Sequence, residues 1–175
     1  MSPDQSGEIF DIVDEDGNIV GQATRAECHG NPALMHRVVH ILVFNSAGDL
    51  LLQKRSLDKD IQPGKWDTSV GGHLDAGEDC NTAAERELFE ELGIRDTSFE
   101  RLYDYVWRSK VETELARAYR LVYEGPIVVQ RDEIDEARFW TRAEIEAHLG
   151  RGVFTPLFEH GWQRFKDWEK ARHAG

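Results

Sequence analysis

Residues 72–94 read Gly72-His73-Leu74-Asp75-Ala76-Gly77-Glu78-Asp79-Cys80-Asn81-Thr82-Ala83-Ala84-Glu85-Arg86-Glu87-Leu88-Phe89-Glu90-Glu91-Leu92-Gly93-Ile94. Ala84, Leu88 and Leu92 recur at the spacing of one apolar helical face. The pattern predicts a helix from about Asp79 to Leu92, with Asn81 as N-cap and Gly93 as the residue that stops it. Glu87, Glu90 and Glu91 stand at i, i+3 and i+4, so their carboxylates share a face and repel one another. The spacing puts Arg86, the one base among them, on an adjacent face. A helix kept for stability alone would carry Lys at one of these positions. A hard divalent cation such as Mg²⁺ or Mn²⁺ resolves the conflict, because it takes carboxylate and phosphate oxygens alike. Three glutamates without further context read as a solvated acidic face.

Upstream, Ile9 to Val13 and Ile19-Val20 read as short strands around the turn Glu15-Asp16-Gly17-Asn18. Val38 to Phe44 and Leu50 to Gln53, joined by Asn45-Ser46-Ala47-Gly48-Asp49, read as a hairpin. Pro63-Gly64 turns the chain into a short segment, Trp66 to Val70, that leads into Gly71-Gly72. Downstream, strands are expected near Phe99 to Arg108, Glu114 to Tyr123 and Ala137 to Trp140, then helices over Arg142 to Leu149 and Pro156 to Ala171. Phe158, Trp162 and Phe165 recur at helical spacing in the last helix, read as core packing rather than a membrane-facing stripe. Strands interleaved with helices make the class α/β or α+β. With no repeat or linker, residues 1–175 read as one domain with an N-terminal strand extension and a C-terminal helix.

The 175 residues can bury roughly 70% of their unfolded surface, so a core needs no staples. Asp and Glu number 33 against 21 Lys and Arg, a formal net charge of −12. That excess argues against nucleic acid or an anionic membrane as partner, and an anionic substrate would need local basic groups or a bridging cation. The oligomeric state is left open. Cys28 and Cys80 are too few for a disulfide framework, and MSPDQSGE lacks the basic and apolar stretches of a leader, so the expected location is cytoplasmic.

The opening stretch also matches G-x5-E-x7-R-E-U-x-E-E-x-G-U, with U aliphatic, at nine fixed positions over twenty-three residues. In this it resembles the Nudix hydrolases. The resemblance implies a loop–helix–loop on an α/β/α sandwich with a mixed sheet, and Mg²⁺- or Mn²⁺-dependent cleavage of a small-molecule diphosphate. It implies Glu87, Glu90 and Glu91 as metal ligands with the Gly71 carbonyl completing the shell. Arg86 would orient a glutamate, and Glu78 would support the loop–helix arrangement. The base would be Glu87 or a later carboxylate such as Glu133 or Glu136.

From Asp11 to Pro156 the chain is further similar to the branch that contains type I isopentenyl-diphosphate isomerase and its hydrolase relatives. The similar segments are Asp11 to Asp14, Arg25 to His29, Met35-His36-Arg37, Leu51 to Trp66 and Thr68 to His73. This resemblance implies a second metal site at His29, His36, His73, Glu112 and Glu114, suited to Zn²⁺ or Mn²⁺. It also implies diphosphate contacts from Arg25, Arg55 and Lys59. The isomerase pattern has a catalytic thiol where this chain has Gly71, and an aromatic residue where it has Leu157. Hydrolysis of a nucleoside diphosphate derivative or an isoprenoid diphosphate is therefore preferred. An isomerase and a non-catalytic binding module are the alternatives. Trp66, Trp107 and Phe154 are candidates to stack on a base or an isoprenoid chain, with core packing as the competing role.

Overall fold

Strand β3 (Met35–Phe44) is the hub to which the rest of the sheet is attached. In a computed structural model, which describes residues 5–59 and 61–175, β3 pairs in parallel with β8 (Thr113–Val122) along its whole length. It also pairs antiparallel with β6 (Val70–His73), and touches β1 (Ile9–Val13) at Ile12↔His36 and β4 (Leu50–Arg55) at Phe44↔Leu50. β2 (Ile19–Thr24) pairs with β1, and β7 (Glu100–Arg108) with β8. β5 (Trp66–Asp67) and β9 (Ile134–Trp140) both pair with β4. Parallel and antiparallel ladders thus make one mixed sheet. Residues 1–4, part of the segment inspected for a leader, lie outside the described residues.

The sheet is covered on both faces, and the pleat of β3 shows how. Val39, Ile41 and Val43 point to helix α2 (Cys80–Leu92) and pack with Ala84, Leu88 and Leu92. Leu42 and Phe44 point the other way, to α3 (Arg142–His148) and α4 (Pro156–His173), and pack with Ile145, Phe158, Trp162 and Phe165. A strand buried on both faces reads as a continuous apolar run, as Val38 to Phe44 does. The C-terminal aromatic stripe is core, and the architecture is the expected α/β/α sandwich. Among the described residues no helix is long and apolar enough to cross a membrane.

Three expectations need correction. The N-cap of α2 is Asp79, not Asn81: its carboxylate accepts the backbone N–H groups of Asn81 and Thr82 at 2.9 and 3.0 Å. Asn81, already inside the helix, accepts the Tyr119 hydroxyl. Second, the hairpin of β3 and β4 opens after a single residue pair. The segment carrying β5 and β6 enters between the two strands, β6 taking the free edge of β3 and β5 that of β4. At the fork the Ser69 hydroxyl accepts the Val43 N–H and donates to the Leu51 carbonyl, restoring bonds the ladder lost. Third, Arg25–Cys28 form a short helix, α1, where no element was expected. Thr24 and Glu27 cap it reciprocally, a Thr-x-x-Glu box present in the sequence.

Leu88 is an enclosed contact between α2 and the sheet, 1% exposed. Leu88→Ala should lower the unfolding free energy by roughly 2–5 kcal/mol through lost burial and the cavity left behind. Urea denaturation with an unchanged m-value would check it.

Candidate active site

The fork between β3 and β4 opens onto a cleft of about 1230 Å³, and β6 forms its sill. Gly72 faces α2, where an added Cβ would overlap the Glu87 carboxylate; Gly71 faces the other way, toward His40. Below Gly72 lie Glu87 and Glu91, one helical turn apart and both mostly buried. Gln53 Nε2 on β4 donates to Glu91 Oε2 at 2.8 Å and to the Ser69 carbonyl at 3.1 Å. Burial, reinforced by Glu90 and Glu133, pushes the Glu87 carboxyl up to about 7 against the pull of Arg86. Burial and the neighbouring Glu87 push Glu91 well above the usual carboxylate range, although Gln53 and the Gly71 N–H pull it back. Glu90 is half exposed at the rim.

Arg86 is not on a separate face. Its Nε and Nη2 donate to the two Glu78 oxygens at 2.9 Å each, and Nη2 also reaches the His73 carbonyl at 3.0 Å. Its Nη1 donates to Glu87 Oε1 at 2.7 Å and Glu90 Oε2 at 3.3 Å. The long side chain swings back along the helix, so neighbouring positions meet at its tip. The loop before α2 is held from the sheet as well: Asp11 Oδ2 accepts both the Gly77 N–H and Arg37 Nη2, and Arg37 donates to the Glu78 carbonyl.

On the far side of Gly71, His29, His36, His73 and Glu112 each offer one ligand atom, all within 4.8 Å of one another. Glu114, the fifth expected ligand, lies beside this group of four, with its Oε1 3.9 Å from His73 Nε2. Glu114 stands opposite His36 on the β3–β8 ladder, while α1 ends at His29 and brings it in. Burial pushes His36 down to about 4 and His73 well below the ordinary histidine range, which favours the neutral imidazole, the form that binds metals. His36 Nε2, Glu112 Oε2 and Glu114 Oε2 are buried without a hydrogen-bond partner. Orphaned lone pairs converging in this way fit a cation.

Arg25, Arg55 and Lys59 line the same cleft, each beside an acid: Glu8 at 3.2 Å, Asp67 at 3.5 Å and Glu133 at 3.4 Å. Glu133 faces the cleft; Glu136 sits opposite Lys54 on β9 and is not among the described lining residues. Trp107 lines the cleft, whereas Trp66 and Phe154 are packed in the core. Gln53 and His40 were not expected. Gln53 follows three buried leucines of β4 and carries no motif, and His40 interrupts an apolar strand without one.

The NUDIX domain family model matches residues 34–158. The chain belongs to the Nudix family. It is 39% identical over 146 residues to an uncharacterized Nudix hydrolase of Pseudomonas aeruginosa, covering 83% of this chain and 85% of that one. It is 34% identical over 161 residues to another from Listeria monocytogenes, covering 86% and 90%. The crystal structure of DR0079 from Deinococcus radiodurans superposes with a TM-score of 0.74 at 27% identity, over 85% of this chain and 92% of that one. The chain is thus a Nudix hydrolase, and members of this family generally use a divalent metal such as Mg²⁺ on small-molecule substrates.

A Nudix hydrolase with Gly72→Ala should lose turnover while staying folded, because the new methyl must displace the Glu87 carboxylate. A misplacement of that kind costs about 10²-fold. Steady-state rates compared with circular dichroism of the same preparation would check it.

Proposed function

We propose that this Nudix hydrolase is metal-dependent and cleaves the phosphoanhydride of a small diphosphate, a nucleoside diphosphate derivative or an isoprenoid diphosphate. The observation that carries the reading is the pair Glu87 and Glu91, two buried carboxylates on one helical turn with charged forms opposed by burial and by neighbouring acids, Glu90 and Glu133 for Glu87, and Glu87 and Glu133 for Glu91. An all-oxygen set of Glu87, Glu90, Glu91 and the Gly71 carbonyl suits Mg²⁺ or Mn²⁺. Bound there, the ion would neutralise phosphate charge and lower the pKa of an attacking water. Arg86 keeps Glu87 in place and is itself fixed by Glu78. Either Glu87 or Glu133 takes the proton from the water; Glu133 is the later carboxylate supported by its position on the cleft wall. Arg25, Arg55 and Lys59 hold the substrate's phosphates.

The second cluster supports a place in the branch that resembles isopentenyl-diphosphate isomerase. Three imidazoles and two carboxylates suit a borderline transition metal, Zn²⁺ or Mn²⁺. Gly71 provides no thiol to protonate carbon, and Leu157 stands on the cleft wall in place of an aromatic ring. Hydrolysis is therefore the reaction these residues favour.

Glu87→Gln and Glu91→Gln should each reduce kcat by roughly 10²-fold or more, the scale for one charge-stabilising group, with the fold intact. Near wild-type turnover in both, assayed by phosphate release from a diphosphate panel, would reject the mechanism. For the second site, untagged protein should carry a transition metal that His36→Ala and Glu114→Gln both reduce. Elemental analysis finding unchanged metal in both variants would exclude it.

A further inference from the structure

Beyond the two acidic clusters, one buried polar pair on the cleft side of the sheet has no structural task that its neighbours explain. His40 on β3 and Tyr105 on β7 are separated by β8, so their strands lie roughly 10 Å apart. They meet because β8 carries alanines there: Ala118 stands opposite His40 and Ala116 opposite Tyr105. The Tyr105 hydroxyl and His40 Nδ1 are 2.6 Å apart. Were Nδ1 the donor, the buried phenol hydrogen would have no acceptor; Tyr105 therefore donates, and the imidazole hydrogen sits on Nε2. The Nε2 edge of the ring is turned toward Gly71: a Cβ at that glycine would lie 3.4 Å from His40 Cδ2 and 3.9 Å from Nε2. A fixed N–H donor thus faces the space that a side chain at position 71 would have filled.

Two further groups flank this donor. Thr68, 8% exposed, has a buried hydroxyl with no hydrogen-bond partner, and its methyl would lie 3.5 Å from the same Cβ. Both residues line the cleft and a small recess of about 20 Å³ that continues from it under α4. That volume admits one small group, not a hydrocarbon chain. The Trp107 indole, two residues along β7 from Tyr105, forms the neighbouring wall with His160 behind it at 5.1 Å between centroids.

We infer that His40 and Thr68 determine specificity in this hydrolase: they hydrogen-bond the part of the substrate attached to the diphosphate, selecting a flat moiety with an acceptor over a hydrocarbon. The inference rests on the hydrolase reading above. An acceptor bound here satisfies the His40 Nε2–H and the Thr68 hydroxyl together, while an isoprenoid chain would leave both unpaired. Tyr105 is a positioning residue, acting through the tautomer of His40. The inference selects among substrates and leaves the reacting phosphates to the residues already described.

The test compares cytidine, uridine, adenosine and guanosine diphosphates with isopentenyl diphosphate. At least one nucleoside diphosphate should be preferred by the wild type. His40→Leu and Thr68→Val should each lower kcat/KM for it by roughly 10-fold, chiefly through KM, and leave isopentenyl diphosphate turnover unchanged. His40→Gln, which keeps a donor, should recover part of the loss, and Tyr105→Phe should show a smaller loss of the same selectivity. A merely structural role would instead depress all substrates together, and that result would overturn the inference, as would a wild-type preference for isopentenyl diphosphate. Equilibrium binding of the same compounds to Glu91→Gln, with and without His40→Leu, separates the two levels. His40-dependent binding to Glu91→Gln, together with a wild type that hydrolyses none of the compounds, would reject the hydrolase mechanism and keep the specificity site. Binding indifferent to His40 would reject the site whatever the turnover.

Discussion

The structure turns on keeping Glu87 and Glu91 close together in a place with little water. Two carboxylates one turn apart would ordinarily splay or protonate. Here the apolar face of α2 fixes the helix against β3 through Ala84, Leu88 and Leu92, so neither glutamate can leave without unpacking the core. Gln53 holds Glu91 from the sheet, Arg86 holds Glu87 from the helix, and Gly72 leaves the room that Glu87 occupies. The fork between β3 and β4 belongs to the same arrangement, since an ordinary hairpin would have closed the sheet where the cleft now opens. A buried pair of like charges is unfavourable alone, and it becomes useful when a divalent cation completes it.

Much of this is legible in residues 72–94. The apolar spacing there gives the helix, Gly93 in the left-handed region at φ 68 ends it, and the glutamate spacing gives the shared face. The C-terminal aromatic stripe is equally legible, because local periodicity alone carries it. What escaped was non-local. The opening of the hairpin depends on the segment carrying β5 and β6 entering between two strands, which no turn residue announces. Arg86 reaches Glu78, Glu87 and Glu90 because its side chain is long, whereas helical-wheel reasoning follows only the Cβ direction. His40 and Tyr105 meet only through the β3–β8–β7 register and two intervening alanines. The Thr24–Glu27 box is the exception: it was local, readable, and simply overlooked.

Strand β6 divides the chemistry. Its alternation sends Gly72 to the helix glutamates and Gly71 and His73 to the imidazole cluster and His40. One short strand without bulky side chains at 71 and 72 therefore leaves a single cleft lined by residues from both groups. The two glycines have different tasks. At Gly72 a Cβ collides with a carboxylate, while at Gly71 a Cβ would make only ordinary contacts. A Cβ at position 71 would thus meet His40 and Thr68 and not the glutamates.

Charge balance sets what an anionic substrate would meet in the cleft. The molecule carries a formal net charge of −12, and acids outnumber bases among the described residues lining the cleft. Arg25, Arg55 and Lys59 each stand beside a carboxylate, so they cannot alone attract a diphosphate against that field. Pairing holds three long side chains along the cleft wall, where an anionic ligand would have to compete with their carboxylate partners. Cations on the glutamates would reverse the local sign and favour the ligand in that competition. The acidity that repels phosphate from the surface as a whole is then what a cation in the cleft would have to offset before an anionic substrate could enter.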